Sequence, residues 1–163
     1  MNQDKITLKR IETLHPAIRS EVRQLYLNIC GCLNDKVICR FAYTFRSIEE
    51  QNEIYAQGRT KPGSIVTNAK GGQSYHNYGL AFDIVMLLDK DGNGTFETAS
   101  WNTSLDFDKD GKADWAEVVE LCKQYGWEWG DTFRDYPHFQ KTFGHTWKEL
   151  SLMKKAKDGY VIL

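Results

Sequence analysis

The sequence predicts a single α+β domain, with a few helices packed on short strands, and three observations carry that expectation. Its 163 residues, 41% hydrophobic and 26% charged, suit one soluble globular domain large enough to bury a core without staples. Stretches with helical periodicity and stretches rich in β-branched and aromatic residues both occur, in separate places. Two acidic turns apart, no internal repeat is visible, and no flexible linker sets off a second domain, so one domain over 1–163 is expected.

The bulk numbers also exclude classes of function. A formal net charge of −1 gives no electrostatic reason to expect nucleic-acid binding. No apolar run approaches a membrane span, and the polar start at Met1–Lys5 shows no secretory h-region. Cys30, Cys32, Cys39 and Cys122 form no CxxC pair and are expected as reduced, mostly buried thiols. Synthesis in a reducing compartment is therefore expected.

Taken in order, Ala17 to Leu33 places Ile18, Val22, Leu25, Tyr26 and Ile29 at helical spacing, with Pro16 suited to a first turn. His15 is expected as a surface or capping residue. Val37 to Phe45 predicts a strand that ends at Arg46. Ser47 and Glu50 form a capping box for a helix running to about Gln57, where Gly58 stops it. Arg59 to Gln73 is a long loop, a kind often functional in compact domains. It delivers the chain to Ser74 and then to a strand from Gly79 to Leu88. Ala113 to Tyr125 predicts a helix stopped by Gly126. Short strands follow at Trp127–Gly130 and Tyr136–Gln140, then a helix over Trp147–Lys155 and a tail or edge strand at Gly159–Leu163.

Between these elements, 89–117 is compositionally distinct, with eight acidic residues against three lysines. Asp106, Asp108, Asp110, Gly111, Asp114 and Glu117 fall at positions 1, 3, 5, 6, 9 and 12 of a calcium loop. Asp89, Asp91, Asn93 and Gly94 begin the same pattern, but Ser100 stands where its glutamate belongs. Trp101 to Leu105 is too short for an entering helix, so the expectation is a calcium loop outside a true EF-hand pair. The alternative is a pair of acidic turns without metal.

The chemistry-bearing residues cluster in Ser74–Asp83 and again in Asp135–His138. His76, Asp83 and His138 offer two imidazoles and a carboxylate for one metal, with Asp135 spare. A hydrolytic zinc site uses three N/O ligands and an open position, and a carboxylate just outside that shell can take the water's proton. No HExxH occurs, so such a site would be built on a sheet rather than a helix. From the residues alone, satisfied core or surface histidines remain the alternative.

The pattern Ser74-x-His76-x-x-Gly79-x-Ala81-x-Asp83 with Asp135-x-Pro137-His138 resembles the signature of the D-alanyl-D-alanine carboxypeptidase group of peptidoglycan zinc peptidases. That group shares its fold, a small antiparallel sheet with helices packed on it, with lysostaphin-type enzymes and the hedgehog signalling domain. Phe45-Arg46-Ser47 to Gln51, Tyr55 to Thr60 and Asn68 to Ser74 more narrowly resemble the L-alanyl-D-glutamate endopeptidase branch, which contains phage endolysins and bacterial wall-lytic enzymes. The resemblance spans roughly residues 10 to 150. It implies His76, Asp83 and His138 as zinc ligands, Asp135 as catalytic base, Arg46 as the arginine on the substrate carbonyl and Ser74 as a substrate-binding serine.

The implied function is zinc-dependent hydrolysis of the L-Ala–D-Glu bond of peptidoglycan stem peptides by a monomer, released from the cytoplasm to act on the cell wall. A D,D- or L,D-carboxypeptidase on the same scaffold is one alternative, and a non-catalytic metal-binding module is another. His145 has no place in the motif. The turn Asp131–Arg134 is shorter, and the acidic segment 89–117 longer, than the resemblance leads one to expect. Calcium bound in that segment is expected to order the cleft.

Overall fold

Helix α1 (Lys5–Ile11) opens the described chain, residues 2–163 of a computed structural model. No sequence signal foretold it. At barely two turns it has little intrinsic stability and depends on tertiary anchoring. Asp4 caps it by accepting from Thr7 N at 3.0 Å and also holds the Arg40 guanidinium through two 2.9 Å bonds. A short 3₁₀ turn at Pro16–Ile18 leads into α2 (Arg19–Cys32), so the expected helix begins two residues late. His15 caps that turn, and its Nε2 donates to the Val161 carbonyl at 2.8 Å. The capping expectation holds, but the residue is buried rather than on the surface.

Strand β1 (Val37–Tyr43) is followed by α3 (Ile48–Ala56), whose Ser47/Glu50 capping box forms as expected. Gly58 takes φ +76, and a Cβ there would meet Ile65 N at 2.6 Å. The loop to 74 then reaches the 3₁₀ turn Tyr75–Tyr78 and β2 (Ala81–Leu88). After them come β3 (Thr98–Ser100), α4 (Asp114–Gln124), β4 (Glu128–Trp129), a 3₁₀ turn at Gly130–Phe133, β5 (His138–Gln140) and α5 (Trp147–Leu152). β3 escaped the sequence reading because three residues give no period to recognise. The terminal segment is a tail: Val161 makes one isolated antiparallel bridge to Lys155 and joins no sheet.

All pairings in the sheet are antiparallel, in the order β1-β2-β5-β4, with β3 on the far half of β2. Side-chain alternation gives the sheet two different faces. Phe41, Phe82, Ile84 and Phe139 point into the core against the helices. Phe41 and Phe82 stack with centroids 4.2 Å apart, and Phe82 and Phe139 lie at 5.4 Å. Asp83, His138 and Gln140 fall on the opposite parity, so the residues that fill the core force these three to the other face.

The four cysteines are free thiols, three buried and Cys32 half-buried. No helix among the described residues is long and apolar enough to cross a membrane.

Candidate metal centre and cleft

Asp83 on β2 and His138 on β5 are direct cross-strand partners, which brings their side chains together on one face. His76 arrives from the 3₁₀ turn just before β2. Ser74 caps that turn in a box with Asn77, and Gly79 closes it at φ +68. A Cβ on Gly79 would lie 2.6 Å from His15 N, so the turn packs against the helical layer only as glycine. Ligand atoms of His76, Asp83 and His138 all lie within 4.8 Å of one another. The two rings are 2% and 7% exposed. The expected ligand set therefore assembles.

The hydrogen bonds around the rings test whether a cation fits. His76 Nδ1 lies 2.6 Å from the Thr44 carbonyl, and a carbonyl only accepts, so Nδ1 carries the proton. Its Nε2 then faces Asp83 Oδ1 at 3.1 Å. His138 repeats the arrangement with its nitrogens exchanged. Nε2 lies 3.0 Å from Gln140 Oε1, and Nδ1 lies 3.0 Å from the same Asp83 oxygen. The Gln140 amide is held in that orientation because its Nε2 donates to Glu128. Each outer nitrogen is thus tied to an acceptor, and each inner nitrogen aims at one carboxylate. Two buried imidazoliums on one oxygen would satisfy this geometry only at high cost. A divalent cation satisfies both lone pairs and the carboxylate together, and outer partners of this kind are what orient ligating histidines. The donor set fits a metal.

Burial alone would raise the Asp83 carboxyl, but the two imidazoles outweigh it and hold the group well below the ordinary carboxylate range. Burial opposes charge on His138, yet Asp83 and Gln140 raise it above the usual histidine value.

A cleft of about 600 Å³ opens over this floor, and Arg46, Ser74 and Asp135 all line it. Arg46 follows β1 beyond a bulge between Phe41 and Tyr43, a feature common beside active sites. Its Nη1 donates to Gln51 Oε1 at 3.1 Å, and its guanidinium lies over the Tyr43 ring at 5.1 Å. Gln51 is fully buried, and its amide nitrogen donates to the Ala69 carbonyl at 2.8 Å. Asp135 sits at the exposed mouth, where desolvation by the cleft walls and then the Asp83 charge raise its carboxyl above the ordinary value. His138, His76 and Arg46 pull it the other way. Its position depends on Gly130, whose carbonyl accepts from Asp135 N at 2.8 Å. Ser74 Oγ accepts from His76 N at 3.3 Å, which gives it a structural duty besides its place in the cleft. His145 lies outside the ligand cluster; its carbonyl accepts from the Tyr75 hydroxyl.

The sequence reading missed Thr44, Gln51 and Gln140 as supports. Gln140 was within reach, since i+2 on a strand shares the face of His138. Thr44 acts through a backbone carbonyl, which carries no residue signal.

The acidic loop assembles as well. Ligand oxygens of Asp106, Asp108 and Asp114 form one close group, and those of Asp108, Asp110 and Glu117 form another. It has no entering helix, as expected.

Fold and site define a class: small α+β domains whose open sheet face carries a His-Asp-His set able to hold a metal ion, beneath a cleft with a free carboxylate and a guanidinium. Two comparisons narrow this. A family model described as D-alanyl-D-alanine carboxypeptidase matches residues 67–141. Over 130 residues the chain is 45% identical to the peptidoglycan L-alanyl-D-glutamate endopeptidase CwlK of Bacillus subtilis (strain 168), covering 78% of this chain and 72% of that protein. The chain belongs to the D-alanyl-D-alanine carboxypeptidase family of peptidases.

Proposed function

We propose that this chain is a zinc endopeptidase that hydrolyses the L-Ala–D-Glu bond of peptidoglycan stem peptides. The observation that carries the reading is the convergence of His76, Asp83 and His138 at the floor of the cleft, in a chain similar to an endopeptidase of that specificity. Two nitrogens and one carboxylate are a donor set that would suit zinc. Zinc held there supplies Lewis acidity for the scissile carbonyl and lowers the pKa of a water toward roughly 7.

The chain's own residues do the rest. Asp135, raised above an ordinary carboxylate, takes the proton of the attacking water and returns it to the leaving amine. Arg46, steadied by Gln51 and Tyr43, meets negative charge as it grows on the carbonyl oxygen, an interaction often worth ~3 kcal/mol. Ser74 offers its hydroxyl to the substrate backbone from the same wall. The acting species is a monomer, working on the cell wall in lysis or remodelling of the endolysin kind.

Mass spectrometry of peptidoglycan digested by zinc-loaded and chelator-stripped protein tests this. Stem peptides with a new D-Glu amino terminus, appearing only with zinc, are expected. Loss of one terminal alanine would transfer the assignment to a carboxypeptidase. No cleavage with zinc bound would leave a metal-binding module.

A further inference from the structure

The acidic loop before α4 holds, among the described residues, groups of clustered carboxylates that the cleft does not use. Most of its carboxylate oxygens are engaged in folding the loop. Asp106 accepts from Asp110 N and Gly111 N, Asp110 accepts from Lys112 N, and Asp114 Oδ2 accepts from Phe107 N. Of the oxygens not so engaged, two are buried. Asp114 Oδ1 and Glu117 Oε2 are buried without a hydrogen-bond partner among the described residues, on side chains of residues only 2% and 9% exposed. Surface acids are common and mean little, because water satisfies them. A buried carboxylate oxygen without a donor is a different matter and calls for an explanation such as an ion. Both residues belong to the close groups that share Asp108.

The turn at Asp89 makes an internal contrast. Asp89 accepts from Gly92 N, Asn93 N and Gly94 N, so its oxygens are satisfied by the chain itself. No side-chain oxygen of that turn is among the buried, unpartnered atoms.

We propose that residues 106–117 form a calcium site with Asp106, Asp108, Asp110, Asp114 and Glu117 as ligands, fastening the start of α4 to the turn between α2 and β1. Calcium, a hard cation taking six to eight oxygens in flexible geometry, suits five clustered carboxylates, whereas magnesium demands near-ideal octahedra and keeps its waters. The fastening runs through Asp108. Its Oδ2 accepts from Asn34 N at 3.2 Å and its carbonyl from Asn34 Nδ2 at 2.9 Å. Asp114 and Glu117 are the first-turn residues of α4 itself. A cation held by both ends locks the helix onto its neighbour, and no cleft residue takes part.

The test uses the full chain, cleared of cations on a chelating resin and resupplied with stoichiometric zinc. Calorimetric titration with calcium chloride is expected to show one site, with magnesium chloride far weaker. Melting temperature is expected to rise by about 5 °C at a hundredfold excess over Kd. Glu117→Gln and Asp110→Asn should each weaken calcium binding by about tenfold or more through loss of a ligand charge. Asp110 is exposed, so its substitution leaves packing intact even if Glu117→Gln disturbs the fold. Zinc content should not change in either variant. Absence of both binding heat and melting shift in the wild type would overturn the proposal. So would an undiminished calcium response in Asp110→Asn, or an equal response to magnesium.

Discussion

Replacing Gly130 by alanine should impair catalysis while sparing the metal ligands. Gly130 is not in the left-handed region, so the argument is purely steric. A Cβ built there lies 2.2 Å from the Asp135 carbonyl oxygen and 2.9 Å from a Phe133 ring carbon. Ordinary contact begins at 3.4 Å, so the Asp135 backbone must retreat by roughly 1 Å, the scale on which misplacement costs about 100-fold in rate. At 1.36 kcal/mol per decade that is about 2.7 kcal/mol of barrier. The 2.8 Å bond from Asp135 N to the Gly130 carbonyl stretches in the same movement, at a cost of about 1 kcal/mol of stability. His76 and Asp83 stand on other elements. His138 N donates to the Asp135 carbonyl at 3.0 Å, but its side chain is placed by the pairing of β5 with β2, so zinc stoichiometry should hold. The assay is kcat on a synthetic stem peptide, run beside zinc content and melting temperature. A Gly130→Ala protein with wild-type kcat would refute the placement of Asp135 as the base. Lost zinc would refute the claimed independence of base and ligands.

Other outcomes follow from the same structure. Gln140→Ala removes the acceptor on His138 Nε2 and should weaken zinc affinity by about 10- to 100-fold, read by competition with a chromogenic chelator. Asp4 is nearly buried; desolvation raises its carboxyl, but Arg40 and Thr7 outweigh that and hold it below its ordinary value. A depressed folded-state pKa means that its stabilisation is complete above the unfolded value near 3.8 and is lost as pH falls through the folded one. Urea unfolding should therefore show wild type ahead of Asp4→Asn at pH 7 by about 1–3 kcal/mol, with the gap closing toward pH 3. Burial pushes the Cys39 and Cys122 thiols far above their usual range and Cys32 up to about 12. The native protein should show no fast-reacting thiol toward a disulfide reagent, and reductant should leave its melting temperature unchanged.

What was legible in the sequence divides by the physics that makes it so. The helix Arg19–Cys32 announces itself because burying one face imposes a repeat, and Ala81–Leu88 because a strand buried on both faces reads as an apolar run. Helix α1 and β3 do not, being too short for a repeat and held by partners distant in sequence, as Asp4 is by Arg40. The three candidate ligands were visible as residue types, and the glycine-rich approach to β2 hinted at their placement. Their supports were less so, since the Thr44 carbonyl is anonymous in sequence and Gln51 matters only because α3 returns beside Arg46. The calcium pattern was readable in full, and Ser100 already set the Asp89 turn apart; the structure adds the orphaned oxygens of the Asp106 loop against the satisfied turn at Asp89.

The placement of the parts also explains how the cleft can be both rigid and reactive. The core demands Phe82, Ile84 and Phe139 on one face, and the pleat then fixes Asp83 and His138 on the other at a register where they must meet. The placement of Asp83 beside His138 is thus a by-product of the pairing of β2 with β5, and it is set before any metal arrives. Asp135 and Arg46 stand outside that pairing, one on a turn after β4 and the other beyond a bulge in β1, where each is held by one or two neighbours. Substitutions in the core should therefore cost stability and metal together. Substitutions at Gly130 or Gln51 should cost rate, and some stability, while sparing the metal, because what they disturb lies outside the register that holds the ligands.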